Sequence, residues 1–140
     1  MSVCHWVCEG IGVRDDDVYP YLNFSKCFAE IQKIAPNDYT LEEFDADALA
    51  DLTCGNEFQC IGEFLARLDD HGVLSFGDNN DGQSYCYYAP TYPWFVTDND
   101  PKSLQEAREY VKDVVRKVCD IDEDVLDRII DNDIYEYGCG

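Results

Sequence analysis

The chain has 140 residues, 46% of them apolar and 14% aromatic, enough to bury the core of one domain spanning 1–140. Thirty Asp and Glu stand against ten Lys and Arg, a formal charge of −20. That balance argues against direct contact with nucleic acid or an anionic membrane. It favours basic protein surfaces, many of which exist to hold nucleic acid.

Residues 2–8 read as a strand, followed by a loop through Gly10, Gly12 and the run Asp15, Asp16, Asp17. Asn23 is placed to cap a helix with Cys27, Phe28, Ile31 and Ile34 on one face, ended by Pro36. Thr40-Leu-Glu-Glu43 matches a capping box. It predicts a second helix with Leu41, Phe44, Ala48 and Leu52 inward, stopped at Gly55. Asn56 opens a third, with Phe58, Ile61, Phe64, Leu65 and Leu68 inward and Gly72 at its end.

Val73 to Phe76 and Gln83 to Tyr88 flank the turn formers Gly77 to Gly82, which predicts a hairpin. An irregular aromatic stretch follows through Tyr92, Trp94 and Phe95. Ser103-Leu-Gln-Glu106 is a second capping box, opening a helix with Leu104, Ala107, Val111, Val114, Val115 and Val118 inward. Asp122 is placed to cap a last helix with Leu126, Ile130 and Ile134 inward, ending at Gly138.

These elements predict an α+β, mainly helical fold. It has an N-terminal strand, three helices plus a β-hairpin over about 24–88, and a C-terminal helical pair over about 103–137. The order within 24–88 resembles a winged helix-turn-helix domain. In DNA-binding members the second helix of the motif enters the major groove and basic groups meet phosphates. Here Glu57 to Asp70 carries Glu57, Glu63, Asp69 and Asp70 against Arg67, and the hairpin tip carries Asp78 and Asp81. DNA readout is disfavoured. The resemblance implies instead a regulatory or adaptor protein that meets a protein partner through its hairpin and aromatics, Tyr87 and Trp94 among them.

Charge placement says more than charge total. Between Asp38 and Asp100 there are fourteen acids and one base, Arg67, whereas six of the ten bases follow residue 101. Glu43, Asp47 and Asp51 recur at spacing four, and Asp120, Asp124, Asp127 and Asp131 at four, three and four. On helices, such carboxylates rise about 4.5–6 Å per step, close to the spacing of about 3.4 Å between phosphates on one strand. A stripe of this kind can copy a phosphate row. The plainer reading is a solvated face, with acids at helix starts favouring the macrodipole. Against that, like charges at spacing four destabilise a helix.

No catalytic or metal-binding pattern is complete. Cys4, His5 and Cys8 lack a second pair for zinc, and Asp78 to Gly82 departs from a calcium loop. His5 and His71 are the only imidazoles, and no phosphate-binding loop or nucleophile motif occurs. The expectation is a non-enzyme with no cofactor and no metal. Met1 to Gly10 holds neither a basic segment nor an apolar run. A cytoplasmic protein is therefore expected, with its eight cysteines as thiols and several of them in the core.

In size, charge and lack of catalytic motifs the chain resembles the acidic anti-defence proteins of bacteriophages, the DNA-mimic and anti-CRISPR inhibitors. That resemblance implies an inhibitor acting in the host bacterial cytosol. It would occupy the basic nucleic-acid-binding groove of a defence nuclease complex such as a CRISPR effector. The expected contact residues are Glu43, Asp47, Asp51, Asp69, Asp70, Asp78, Asp81, Tyr87, Trp94, Asp120, Asp124, Asp127 and Asp131. Arg108, Lys112 and Arg116 form one basic helix face. It can pair with the acidic body or with a second copy in a homodimer.

Overall fold

A computed structural model describes residues 5–34, 42, 44–53, 58–78, 84–88 and 100–139, with side chains for all of these except 5–9, 34, 78 and 133–139. Four antiparallel strands form one sheet: β1 (His5–Arg14), β2 (Ser75–Asp78), β3 (Ser84–Tyr88) and β4 (Asp131–Cys139), in the order β2-β3-β1-β4. Central β1 pairs with β3 from Ile11↔Tyr88 to Arg14↔Tyr85, and with β4 from His5↔Cys139 to Gly10↔Ile134.

The first strand therefore runs through the glycines expected in a loop. A β-carbon at Gly10 would lie 2.6 Å from the Tyr88 carbonyl oxygen, and one at Gly12 would lie 2.1 Å from that of Cys86. Here glycine permits close approach of two backbones, not a turn. The β1–β4 register also shifts between Gly10 and Gly12, a bulge of the kind glycine accommodates.

The helices are α1 (Asp15–Val18), α2 (Phe24–Ile34), α3 (Ala46–Asp51), α4 (Ile61–Arg67), α5 (Leu104–Val118) and α6 (Glu123–Ile129). Two caps form as read. The Lys26 amide donates to Asn23 Oδ1 at 3.1 Å, and the Glu106 amide donates to Ser103 Oγ at 3.1 Å. The Glu106 carboxylate reaches back to the Lys102 amide at 3.2 Å, one residue earlier than the pattern predicts.

Four more expectations are corrected. The third helix runs Ile61–Arg67 with Cys60 at its N-cap position, later than Asn56 and short of Gly72. The second helix starts at Ala46, because Asp45 caps it by accepting from the Ala48 amide at 3.0 Å; Thr40 and Glu43 lie outside the described residues. Leu104, read as inward, is 59% exposed. The last helix stops at Ile129, and Asp131–Cys139 enters the sheet as β4. Ile134, Tyr135 and Tyr137 suit a strand, and β1 supplies the backbone partners. The hairpin β2–β3 is thus one end of a four-stranded sheet, and the winged-helix detail is not confirmed.

Ile11 and Val13 of β1, with Cys86 and Tyr88 of β3, join one apolar core with Ile31, Leu49, Phe64, Leu65, Val111, Val115 and Leu126 of the helices. Period-two alternation turns Tyr85 and Tyr87 to a separate cluster, their rings edge-on at 5.3 Å. Cys27, Cys86 and Cys119 are free and buried, as expected of core thiols. Burial is the first cause raising all three pKa values, to about 12 for Cys27 and Cys119. Among the described residues no helix is long and apolar enough to cross a membrane.

Lys112 ties α5 to α6. Its side chain is only 7% exposed, and Nζ lies 2.6 Å from Asp127 Oδ1, 2.8 Å from Glu123 Oε1 and 3.7 Å from Glu109 Oε1. Hydrogen bonds to Asp127 and then Glu123 raise the Lys112 pKa, and the bonds from Lys112 lower those of both acids. A depressed carboxylate pKa contributes stability above its unfolded value of about 4, lost as pH falls through the folded value. Lys112→Met keeps the apolar stem and removes the ammonium. It is expected to lower unfolding free energy at pH 7 by about 2 kcal/mol, the range of hydrogen bonds to charged groups. Urea denaturation measures this, and the difference from the parent should shrink towards pH 3.

Candidate partner-binding surface

All ten bases lie among the described residues, and eight of them pair with carboxylates among those residues. Their positions decide which carboxylates remain for a partner. Lys117 Nζ bonds Asp70 at 3.0 Å, and Lys26 Nζ bonds Asp120 at 2.9 Å. Asn23 Nδ2 also donates to Asp120, at 2.6 Å. Asp127 is held by Lys112 and Arg108, and Asp131 by Arg14. The pKa of Asp70 is lowered first by its bond from Lys117, and that of Asp120 first by its bond from Asn23. The expected stripe Asp120, Asp124, Asp127, Asp131 does not form. Asp120 precedes α6, Asp131 follows it on β4, and three of the four are neutralised.

Asp69 is also used internally. Its Oδ2 accepts from the amides of Val73 at 2.7 Å and Leu74 at 3.0 Å, and its Oδ1 accepts from the His71 amide at 3.1 Å. The carboxylate closes the turn between α4 and β2, a role that an Asp three residues before Gly72, so near a helix end, could have indicated. His71 lies in the same turn. Its ring stacks on Tyr110 at 3.9 Å, and the Tyr110 hydroxyl donates to Glu106 at 2.6 Å.

One aromatic contact is corrected too. Tyr87 is 5% exposed and packs against Tyr85, so it cannot serve as a surface anchor. Trp94 and Asp81 lie outside the described residues, as does Glu43; Asp78 is placed by its backbone alone, opposite Ser84. An open cleft of about 490 Å³ lies between α4 and β2, with Glu63, Arg67, Phe76 and Tyr87 on its walls. Arg67 meets the mostly buried Glu63 carboxylate at 3.5 Å and also sits over the Phe58 ring.

Asp16, Asp17, Glu42, Asp47, Asp122 and Asp124 remain. All six are exposed, and none has an ion pair among the described residues. Asp47 and Asp51 share a face of α3 at spacing four, so a short part of the first expected stripe persists. Asp16 and Asp17, read as loop residues, lie on α1. The run of three acids at 15–17 was the signal for them.

Asp15, in the same run, behaves differently. Its Oδ1 is buried without a hydrogen-bond partner, and a β-carbon on Gly62 would lie 3.1 Å from it. Burial pushes its pKa up to about 6, against the lowering effect of the Gly62 and Ile61 amides at the start of α4. Among the described residues no group of three or more His, Cys, Asp or Glu is placed to hold a metal ion.

Compared with family models, curated proteins and solved structures, the chain matches none.

The raised Asp15 pKa fixes a sign. The folded state holds this proton more tightly than the unfolded state, so its contribution is most favourable below pH 3.8 and declines as pH rises to about 6. Asp15→Asn should therefore stabilise the protein at pH 7, by up to about 3 kcal/mol, with little gain at pH 4. Urea midpoints at the two pH values measure the difference.

Proposed function

We propose that this chain is a non-catalytic acidic inhibitor. It occupies a basic nucleic-acid-binding groove on another protein, in the manner of DNA-mimic and anti-CRISPR proteins. One observation carries the reading: eight of the ten bases pair with carboxylates among the described residues, Asp70, Asp120, Glu123 and Asp127 included, while exposed Asp16, Asp17, Glu42 and Asp47 meet no base among them. Leaving uncompensated acids in the N-terminal two thirds costs self-repulsion. A basic partner recovers that cost on binding and gains steering on approach.

The contact surface in this reading differs from the one the sequence predicts. It centres on α1 and α3, with Asp47 and Asp51 retained from the first stripe. Asp70, Asp120, Asp127 and Asp131 belong to the scaffold. Burial of Tyr87 counts against the adaptor alternative, which needs that ring at the surface.

Affinity capture from a bacterial lysate at low and high salt tests the proposal. Nucleic-acid-binding proteins should be retained at low salt, be released by salt, and be displaced from the chain by added DNA or RNA. The triple variant Asp16→Lys, Asp17→Lys, Asp47→Lys should keep its fold and bind the captured protein at least about tenfold more weakly, a loss of about 1.4 kcal/mol. Retention indifferent to salt, nucleic acid and these substitutions would reject the reading.

A further inference from the structure

We infer that the outer edge of β4 receives an extended, basic segment of the protein partner, which pairs there as a fifth strand. The inference rests on the proposal that the partner is a basic protein, and it adds the mode of contact.

β4 lies at one end of the strand order and pairs with β1 on one side. Among the described residues no strand pairs with its other side. It runs for nine residues, Asp131–Cys139, whereas β2 at the opposite end has four. The short edge also has α4 beside it, since Glu63, Ala66 and Arg67 share a cleft with Leu74, Ser75 and Phe76. A long terminal strand presents alternate N–H and C=O groups outward, a template for another chain. β4 contains no proline, so no donor is missing from its ladder.

Charge selects the occupant. The β4 sequence holds Asp131, Asp133 and Glu136 and no Lys or Arg. Arg14 already meets Asp131, which leaves two acids in the span that pairs with β1 up to His5↔Cys139. A second copy would set β4 acids near β4 acids and bring −20 against −20, so self-pairing is opposed. A strand rich in Lys or Arg gains cross-strand ion pairs at the same positions. Main-chain hydrogen bonds then give affinity, while the acids favour basic strands and oppose acidic ones.

The test uses the whole chain, isotopically labelled, and two peptides of about ten residues, a normal strand length. One alternates Lys and Val. The other has the same charge but carries Pro at two Val positions, which removes ladder donors and breaks the extended run. The Lys-Val peptide should bind and slow hydrogen exchange at alternate β4 amides. The Pro-bearing peptide should bind about tenfold more weakly, as loss of two backbone hydrogen bonds implies. The double variant Asp133→Lys, Glu136→Lys should weaken binding of the Lys-Val peptide without altering exchange in α5.

Equal binding of both peptides with no β4 protection would overturn the inference and leave a purely electrostatic contact, with the proposed function intact. Binding of neither peptide by a chain that still captures a basic partner would overturn it as well. So would concentration-dependent dimers, seen by ultracentrifugation, that protect β4 without peptide.

Discussion

The C-terminal third is organised about the ammonium of Lys112. Removing an amine from water costs several kcal/mol unless carboxylates meet it, and here Asp127, Glu123 and Glu109 do. Two of those acids come from α6, which is thereby fastened to α5. Arg108 adds a bond to the Asp127 carbonyl at 2.6 Å, and Arg116 bonds Glu123. The residues after α6 form β4, so this charged joint lies immediately before the strand that extends the sheet beyond β1.

The scarcity of cations gives that joint a wider meaning. With three acids for each base, every ion pair formed within the fold determines what is left outside it. Here Arg108, Lys112 and Arg116 pair within the last forty residues, and Lys117 reaches back to Asp70. Among the described residues, Asp16, Asp17 and Glu42 pair with none of them. Surface pairs contribute little stability singly, so the pattern matters less for holding the fold than for distributing potential.

Local side-chain-to-backbone chemistry was legible in the sequence. Asn23 and Ser103 cap helices as read because each acts on an amide three residues on. Apolar periodicity also placed Cys27, Ile31, Phe64, Val111 and Leu126 in the core. Competition between local signals was less legible: Asp45 starts α3 although Thr40 and Glu43 spell a better-known pattern. Long-range pairing was not legible at all. Spacing four through Leu126, Ile130 and Ile134 suits a helix, and only β1, at the other end of the sequence, turns that last segment into a strand. The candidate surface suffered for the same reason. Asp120, Asp127 and Asp131 look free until Lys26, Lys112 and Arg14 arrive from distant positions.

β1 carries one more consequence. Both of its neighbours lie far along the chain, with β3 beginning at Ser84 and β4 at Asp131. Bringing such distant partners together must overcome loop-closure entropy before any contact rewards it, which places a protein among the slower folders of its size. During synthesis the ribosome releases β1 long before either neighbour exists. A nascent chain therefore holds a lone, glycine-softened strand in waiting until its neighbours are made.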